Sequence, residues 1–166
     1  MLEVLGNLGE FIGGVAVIVT IIYLAIQVRG NTSALRTRSR QDIVESFRTF
    51  YRPLFDNPEL SQVYLGGLRK YPDLPQPSRL QFASYMNDHV LHFQGAFALY
   101  ESGALDGETY RAYLDYLAAH LATPGGSAYW SETRGLYPSH MVAAIDERLS
   151  AGGLPILDDI SFLRIE

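Results

Sequence analysis

At 166 residues the chain has the length of one ordinary domain, and 13 Lys and Arg against 18 Asp and Glu leave a formal charge of -5. An apolar share of 48 % with 12 % aromatic residues is too greasy for a disordered tail, and the acidic balance argues against a general nucleic-acid binder, whose surface should be basic. Without a single cysteine, disulfide frameworks, thiolate zinc sites, iron–sulfur clusters and thiol nucleophiles are excluded.

The first element is residues 11–28, FIGGVAVIVTIIYLAIQV, which carries no Asp, Glu, Lys or Arg between Glu10 and Arg29. As a helix it reaches roughly 27 Å, near the thickness of a bilayer's hydrocarbon core. Its Val and Ile make it a mediocre helix in water, but lipid leaves the backbone no partner except itself, so a transmembrane helix is expected. A buried core helix and a cleaved signal peptide compete with this reading. A signal peptide needs a basic start and small residues before a cleavage point, whereas Glu3 and Glu10 precede the run and QVRGNTSALR follows it.

Gly6, Gly9, Gly13, Ala16, Thr20, Tyr23 and Gln27 recur at steps of three and four and share one helix face. Small residues let a second backbone approach, and Gly9 with Gly13 has the small-xxx-small spacing of packed membrane helices. Thr20 and Gln27 are expected to add interhelical hydrogen bonds of about 0.5–2 kcal/mol each. A pore lined by these two residues is a third reading, without the intramembrane acid or base that an ion path usually carries.

Arginines follow the span at positions 29, 36, 38, 40, 48 and 52, while no Lys or Arg precedes it. The positive-inside bias therefore places the N-terminus outside and the remainder in the cytoplasm. Gly30 to Ser33 is expected to cap a new helix or bend the old one. Residues 30–56 then read as an Arg-rich amphipathic juxtamembrane helix with Ile43, Phe47, Phe50 and Leu54 on its apolar stripe. Arg29, Arg36, Arg38, Arg40, Arg48 and Arg52 are candidates for lipid headgroup contact, or simply for fixing topology.

Residues 57–166 read as a cytoplasmic helical bundle with a short C-terminal tail. Asn57-Pro58 breaks the preceding helix, a short helix follows, and a long one is predicted from about Ser78 to Ser102 with Phe82, Met86, Val90, Phe93, Phe97 and Tyr100 facing the core. Asp106 caps a helix with Tyr110, Leu114, Leu117 and Leu121 buried, and a last helix follows Pro138-Ser139 with Val142, Ile145 and Leu149 inward. The glycine pairs in GGLRK, PGGS and AGGLP read as helix stops rather than phosphate loops. No period-two strand stands out apart from an extended tail, ILDDISFLRI. The class is all-α: a single N-terminal transmembrane helix, residues 1–29 with its tail, continuing into a small helical bundle.

Chemistry is sparse. His89 and His92 are one helical turn apart, near Asp88 and Glu101, the spacing at which two imidazoles reach one metal. The Glu-x-x-His signature of bundle metal sites is missing, so these two remain the candidates for a metal or ligand pocket and no cofactor is assigned. The position of His120 near a helix C-terminus is explained by the helix dipole, which favours a cation there. No nucleophile elbow and no catalytic residue is assigned.

The opening LGEFIGGVAVIVTIIYLAIQVRGNTSALR, the turn YESGALDGETY, the segment ATPGGSAYWSE and the later YPSHMVAAID together resemble a recurrent family of bacterial proteins with one N-terminal transmembrane helix and a cytoplasmic helical domain. The positions that carry the resemblance are Gln27, Arg29, Asn31, Thr32, Gly103, Leu105, Asp106, Pro124, Gly125, Trp130 and Asp146. It implies the one-span helical architecture and a bacterial cytoplasmic membrane, and brings no reaction with it. The expected function is a non-enzymatic, membrane-anchored structural or interaction protein. Its partners would be the lipid bilayer and either itself or other membrane subunits, with no nucleic acid. A membrane-tethered enzyme or sensor using a pocket near His89 and His92 is the alternative.

Overall fold

The computed structural model describes the backbone of residues 2–155 and 157, with side chains except those of 2–12, 32, 33, 35–37, 39 and 40. The expected tail falls almost wholly outside the described residues. Among these, every regular element is helical, and the all-α reading holds. The chain divides into a unit of residues 1–39 and a unit of residues 40–166.

Helix α1 (Leu2–Asp56) runs on through Gly30 to Ser33, so the expected cap or bend there does not occur. A lone glycine inside a helix costs only about 1 kcal/mol, too little to force a break. The stop comes at Asn57, whose carboxamide oxygen accepts from the backbone N–H groups of Glu59 and Leu60 at 3.0 and 3.1 Å and opens α2 (Pro58–Lys70). A 3-10 turn over Tyr71–Asp73 leads to α3 (Gln76–Glu101), which starts two residues before its expected beginning because Pro77 fits a first helical turn. Gly103, at φ 73, supplies the left-handed turn after it.

Asp106 caps α4 (Gly107–Leu121) as expected, accepting from the Thr109 N–H at 3.0 Å. The TPGG run does more than end α4. The Thr123 hydroxyl oxygen accepts from Gly126 N–H at 3.0 Å, so the same residues open α5 (Pro124–Thr133), which carries Tyr129 and Trp130. After a second 3-10 turn, α6 (Ser139–Ala151) ends at Gly152 and Gly153, with φ of 68 and 67. Of the three glycine pairs, only this last one is a stop. Gly66-Gly67 lies inside α2; Gly67 lets α2 close on Phe82 of α3, and Gly125 lets α5 close on the Gly67 carbonyl.

α3 is the axis of the 40–166 unit and packs against α2, α4 and α5; α2 also packs on α5, and α6 on α4. Its Phe82, Met86, Val90, Phe93 and Phe97 are buried as expected. Tyr100 is the exception at 42 % exposed, because in the last turn it stacks flat on Tyr110, ring centres 4.1 Å apart, instead of entering the core. Ile43 and Phe50 are buried, while Phe47 and Leu54 are half-buried at the edge of the same cluster.

Candidate functional site

In the first unit the described apolar stretch Gly13–Asn31 is long and apolar enough to cross a membrane, and none of it is buried by the protein itself. Its 19 residues correspond to about 28 Å of helix. Of the seam, Gly6 and Gly9 have side-chain positions outside the described set, while Gly13, Ala16, Thr20, Tyr23 and Gln27 are exposed and a Cβ at Gly13 would meet nothing within 4 Å. Two polar groups of the seam make a hydrogen bond within the helix. Thr20 Oγ1 donates to the Ala16 carbonyl at 2.8 Å, and Gln27 Nε2 donates to the Tyr23 hydroxyl at 3.0 Å. These bonds occupy the Thr20 donor and one Gln27 donor; the Gln27 carboxamide oxygen and its second N–H keep capacity for a neighbouring helix.

Among the arginines, Arg29 and Arg38 are exposed, and Arg36 and Arg40 have side chains outside the described set. Arg48 pairs with Glu45 at 3.8 Å and Arg52 with Asp56 at 3.5 Å, both in open solvent. Such pairs add little stability but offset the charge of two of the six arginines.

The second unit contains a cluster the sequence reading did not assemble. His89 of α3 meets His120 of α4, not His92, with ring centres 4.9 Å apart at 79°. Both imidazoles are buried, at 1 and 2 % exposure. Phe50 packs on His89 at 5.0 Å, Tyr116 lies 5.6 Å from His89 and 4.6 Å from His120, and Tyr64 reaches His120 at 6.3 Å. Tyr85 donates its hydroxyl to the Phe50 carbonyl at 2.6 Å, and Tyr116 donates to the Tyr51 hydroxyl at 2.7 Å.

His120 Nδ1 faces the Tyr116 carbonyl at 2.8 Å, and since that oxygen only accepts, Nδ1 carries the proton of the neutral ring. Among the described residues neither nitrogen of His89 has a hydrogen-bond partner, nor has the Tyr64 hydroxyl. Burial pushes His120 down to about 4, against the pull of its bond to the Tyr116 backbone. His89 is driven well below the ordinary imidazole value by burial first, then by the charges that His120 and His92 would carry. The dipole reading of His120 is therefore corrected: at neutral pH the ring is uncharged, because desolvation outweighs the helix dipole. Burial and mutual repulsion likewise raise the phenols of Tyr51, Tyr64 and Tyr85.

His92 is half-buried, with Nδ1 at 2.7 Å from the Asp88 carbonyl and its ring beside Phe50 at 5.3 Å. It lines an open groove of about 500 Å³ with Asp42, Ser46, Asp88 and Gly95. Glu101 is not brought to these histidines; it lies 3.7 Å from His140. Among the described residues, no three His, Asp or Glu are grouped to hold a metal ion. A clue to the His120 environment was legible: Ala118, Ala119 and Leu117 around it are small or apolar, the signature of a helix turn with no solvent face, and all are buried.

No protein-family model, no curated protein and no solved structure matches the chain, so its functional reading rests on its own residues.

Proposed function

We propose that the protein is a non-enzymatic, membrane-anchored structural or interaction protein of the bacterial cytoplasmic membrane. In this reading its N-terminus is outside, its helical bundle is cytoplasmic, and the small-residue face of its N-terminal helix assembles with a second copy or with other membrane subunits. The observation that carries it is the Gly13–Asn31 helix, apolar from Gly13 to Ile26 and left unburied among the described residues. In water such a surface would expose Val17, Ile18, Val19, Ile21, Ile22 and Ile26 at once, each more than half accessible, far beyond the apolar patch a soluble monomer tolerates. Lipid removes that cost. The arginines on one side only supply the orientation.

The test is extraction followed by crosslinking in native membranes. The chain is expected to stay with the membrane through an alkaline carbonate wash, and crosslinked species are expected to fall severalfold when Gly9→Leu and Gly13→Leu are combined. A chain released by the wash overturns the anchor, and assembly unchanged by both substitutions overturns the seam. Particle composition after mild extraction separates the two kinds of partner: one chain type means self-assembly, foreign subunits an accessory role.

A further inference from the structure

We infer that the buried His89–His120 pair makes the docking of the C-terminal part of α1, residues 43–54, onto the bundle acid-sensitive, so that this segment lifts when the two imidazoles take up protons. The device lies wholly within the 40–166 unit and does not depend on the membrane reading.

The geometry sets up the coupling. Two imidazoles 4.9 Å apart, at 1 and 2 % exposure, can stay uncharged but cannot both ionise in place. Among the described residues no carboxylate faces them. The groups around them are the phenols of Tyr51 from α1, Tyr64 from α2, Tyr85 from α3 and Tyr116 from α4, with the apolar rings of Phe47 and Phe50; on their own helix, His92 is half-buried and Asp88 is turned to solvent. A neutral phenol does not compensate an imidazolium as a carboxylate would, so each proton requires water to be admitted.

Of the walls of this box, α1 is the one built to move. α2 and α5 are held by direct backbone approach at Gly67 and Gly125, and α3 and α4 by a continuous leucine and phenylalanine core. The 43–54 segment has no comparably close backbone packing. It reaches the bundle through the side chains of Ile43, Phe47, Phe50, Tyr51 and Leu54, and through three polar contacts: Tyr85 donates to the Phe50 carbonyl, Tyr116 to the Tyr51 hydroxyl and Ser61 to the Leu54 carbonyl. Pro53 weakens the same stretch, since it cannot donate to the Thr49 carbonyl. Lifting Phe47, Phe50 and Tyr51 uncovers His89 directly.

The sign follows from proton uptake. Both histidines bind protons more weakly when docked than when exposed, so acid favours the open form, beginning as pH falls through about 6.5 and continuing toward about 4, where docked His120 also titrates. With two protons taken up per opening, the docking equilibrium shifts by up to about a hundredfold per pH unit within that window.

Hydrogen exchange of the full chain in detergent micelles, corrected for the intrinsic pH dependence of exchange, measures this. Protection of residues 43–54 is expected to fall by more than about tenfold per pH unit between pH 6.5 and 5, while that of 124–151 stays nearly constant. His89→Gln with His120→Gln is expected to flatten the dependence. Protection in 43–54 that follows 124–151 at every pH, or an unchanged slope in the double variant, overturns the inference. Imidazole NMR titration of the unaltered protein decides independently of how the variants fold. Proton uptake coincident with the loss of 43–54 protection supports the device; uptake only on unfolding of the whole bundle overturns it.

Discussion

A Cβ placed on Gly125 would collide with the carbonyl oxygen of Gly67, so α5 and α2 touch backbone to backbone there. Gly67 is equally constrained by the ring of Phe82. Gly66, its neighbour, is not: the nearest atom to a Cβ there is Leu74 Cδ2 at 3.6 Å, an ordinary contact. Gly125→Ala is therefore expected to destabilise the bundle by about 1–3 kcal/mol through overpacking. Gly66→Ala is expected to stabilise it by about 0.5–1 kcal/mol through better helix propensity. Urea unfolding followed by circular dichroism reads both signs, and equal effects from the two substitutions would contradict the close approach.

The single tryptophan gives a second handle. Trp130 Nε1 donates to Asp146 Oδ1 at 2.8 Å, tying α5 to α6, and Asp146 Oδ2 lies 2.9 Å from the half-exposed guanidinium of Arg134. Asp146→Ala leaves the indole N–H, on a side chain only 4 % exposed, without its acceptor and is expected to cost about 1–3 kcal/mol. Asp146→Asn keeps an acceptor and loses only the partly exposed ion pair, so its cost is expected below about 1 kcal/mol. Unfolding midpoints and tryptophan emission distinguish the two; a more damaging Asn variant would mean that the charge, not the acceptor, matters.

Alkaline pH should reveal the buried phenols. Tyr51, Tyr64, Tyr85 and Tyr129 all have values raised above the ordinary 10.0, with burial as the first cause. In the folded chain they keep their protons where an unfolded chain would release them, so stability is expected to fall as pH rises above about 10. Phenolate absorbance should then appear in two stages, first from exposed tyrosines and later in one cooperative step with unfolding. A single smooth titration of all eleven tyrosines in the folded state would contradict the burial of this cluster.

Absence of cysteine makes the proposed orientation directly measurable. In intact cells, Asn7→Cys is expected to react with a membrane-impermeant maleimide, whereas Ser150→Cys is expected to react only after permeabilisation. Replacing Arg29, Arg36, Arg38 and Arg40 with Gln while adding lysines before Phe11 should shift part of the population to the opposite labelling pattern, because basic residues near the span set its direction. Labelling of the unaltered orientation in both backgrounds would remove the role given to these arginines.

How much was legible depends on what kind of signal each feature leaves. The stripe from Phe82 to Phe97, the Asp106 cap and the Gly152-Gly153 stop were readable because periodicity and capping act within a few residues. Asn57-Pro58 was readable for the same reason. The glycine pair in GGLRK was misread as a stop because a close approach between helices leaves the same residue in the sequence as a chain end. Gly30 to Ser33 was misread because capping residues act only where the helix has another reason to end.

The histidines mark the boundary between the two kinds of knowledge. Sequence spacing put His89 beside His92 on one helix, whereas packing of α3 against α4 put it against His120, 31 positions away, and made a neutral core residue of a histidine whose position favours a cation. By itself the amino-acid order determined the helical class, the apolar N-terminal stretch and the one-sided arginines, since these rest on local hydrogen bonding and on solvent preference. Only tertiary structure decided which polar groups lose water, because desolvation depends on neighbours brought from far along the chain.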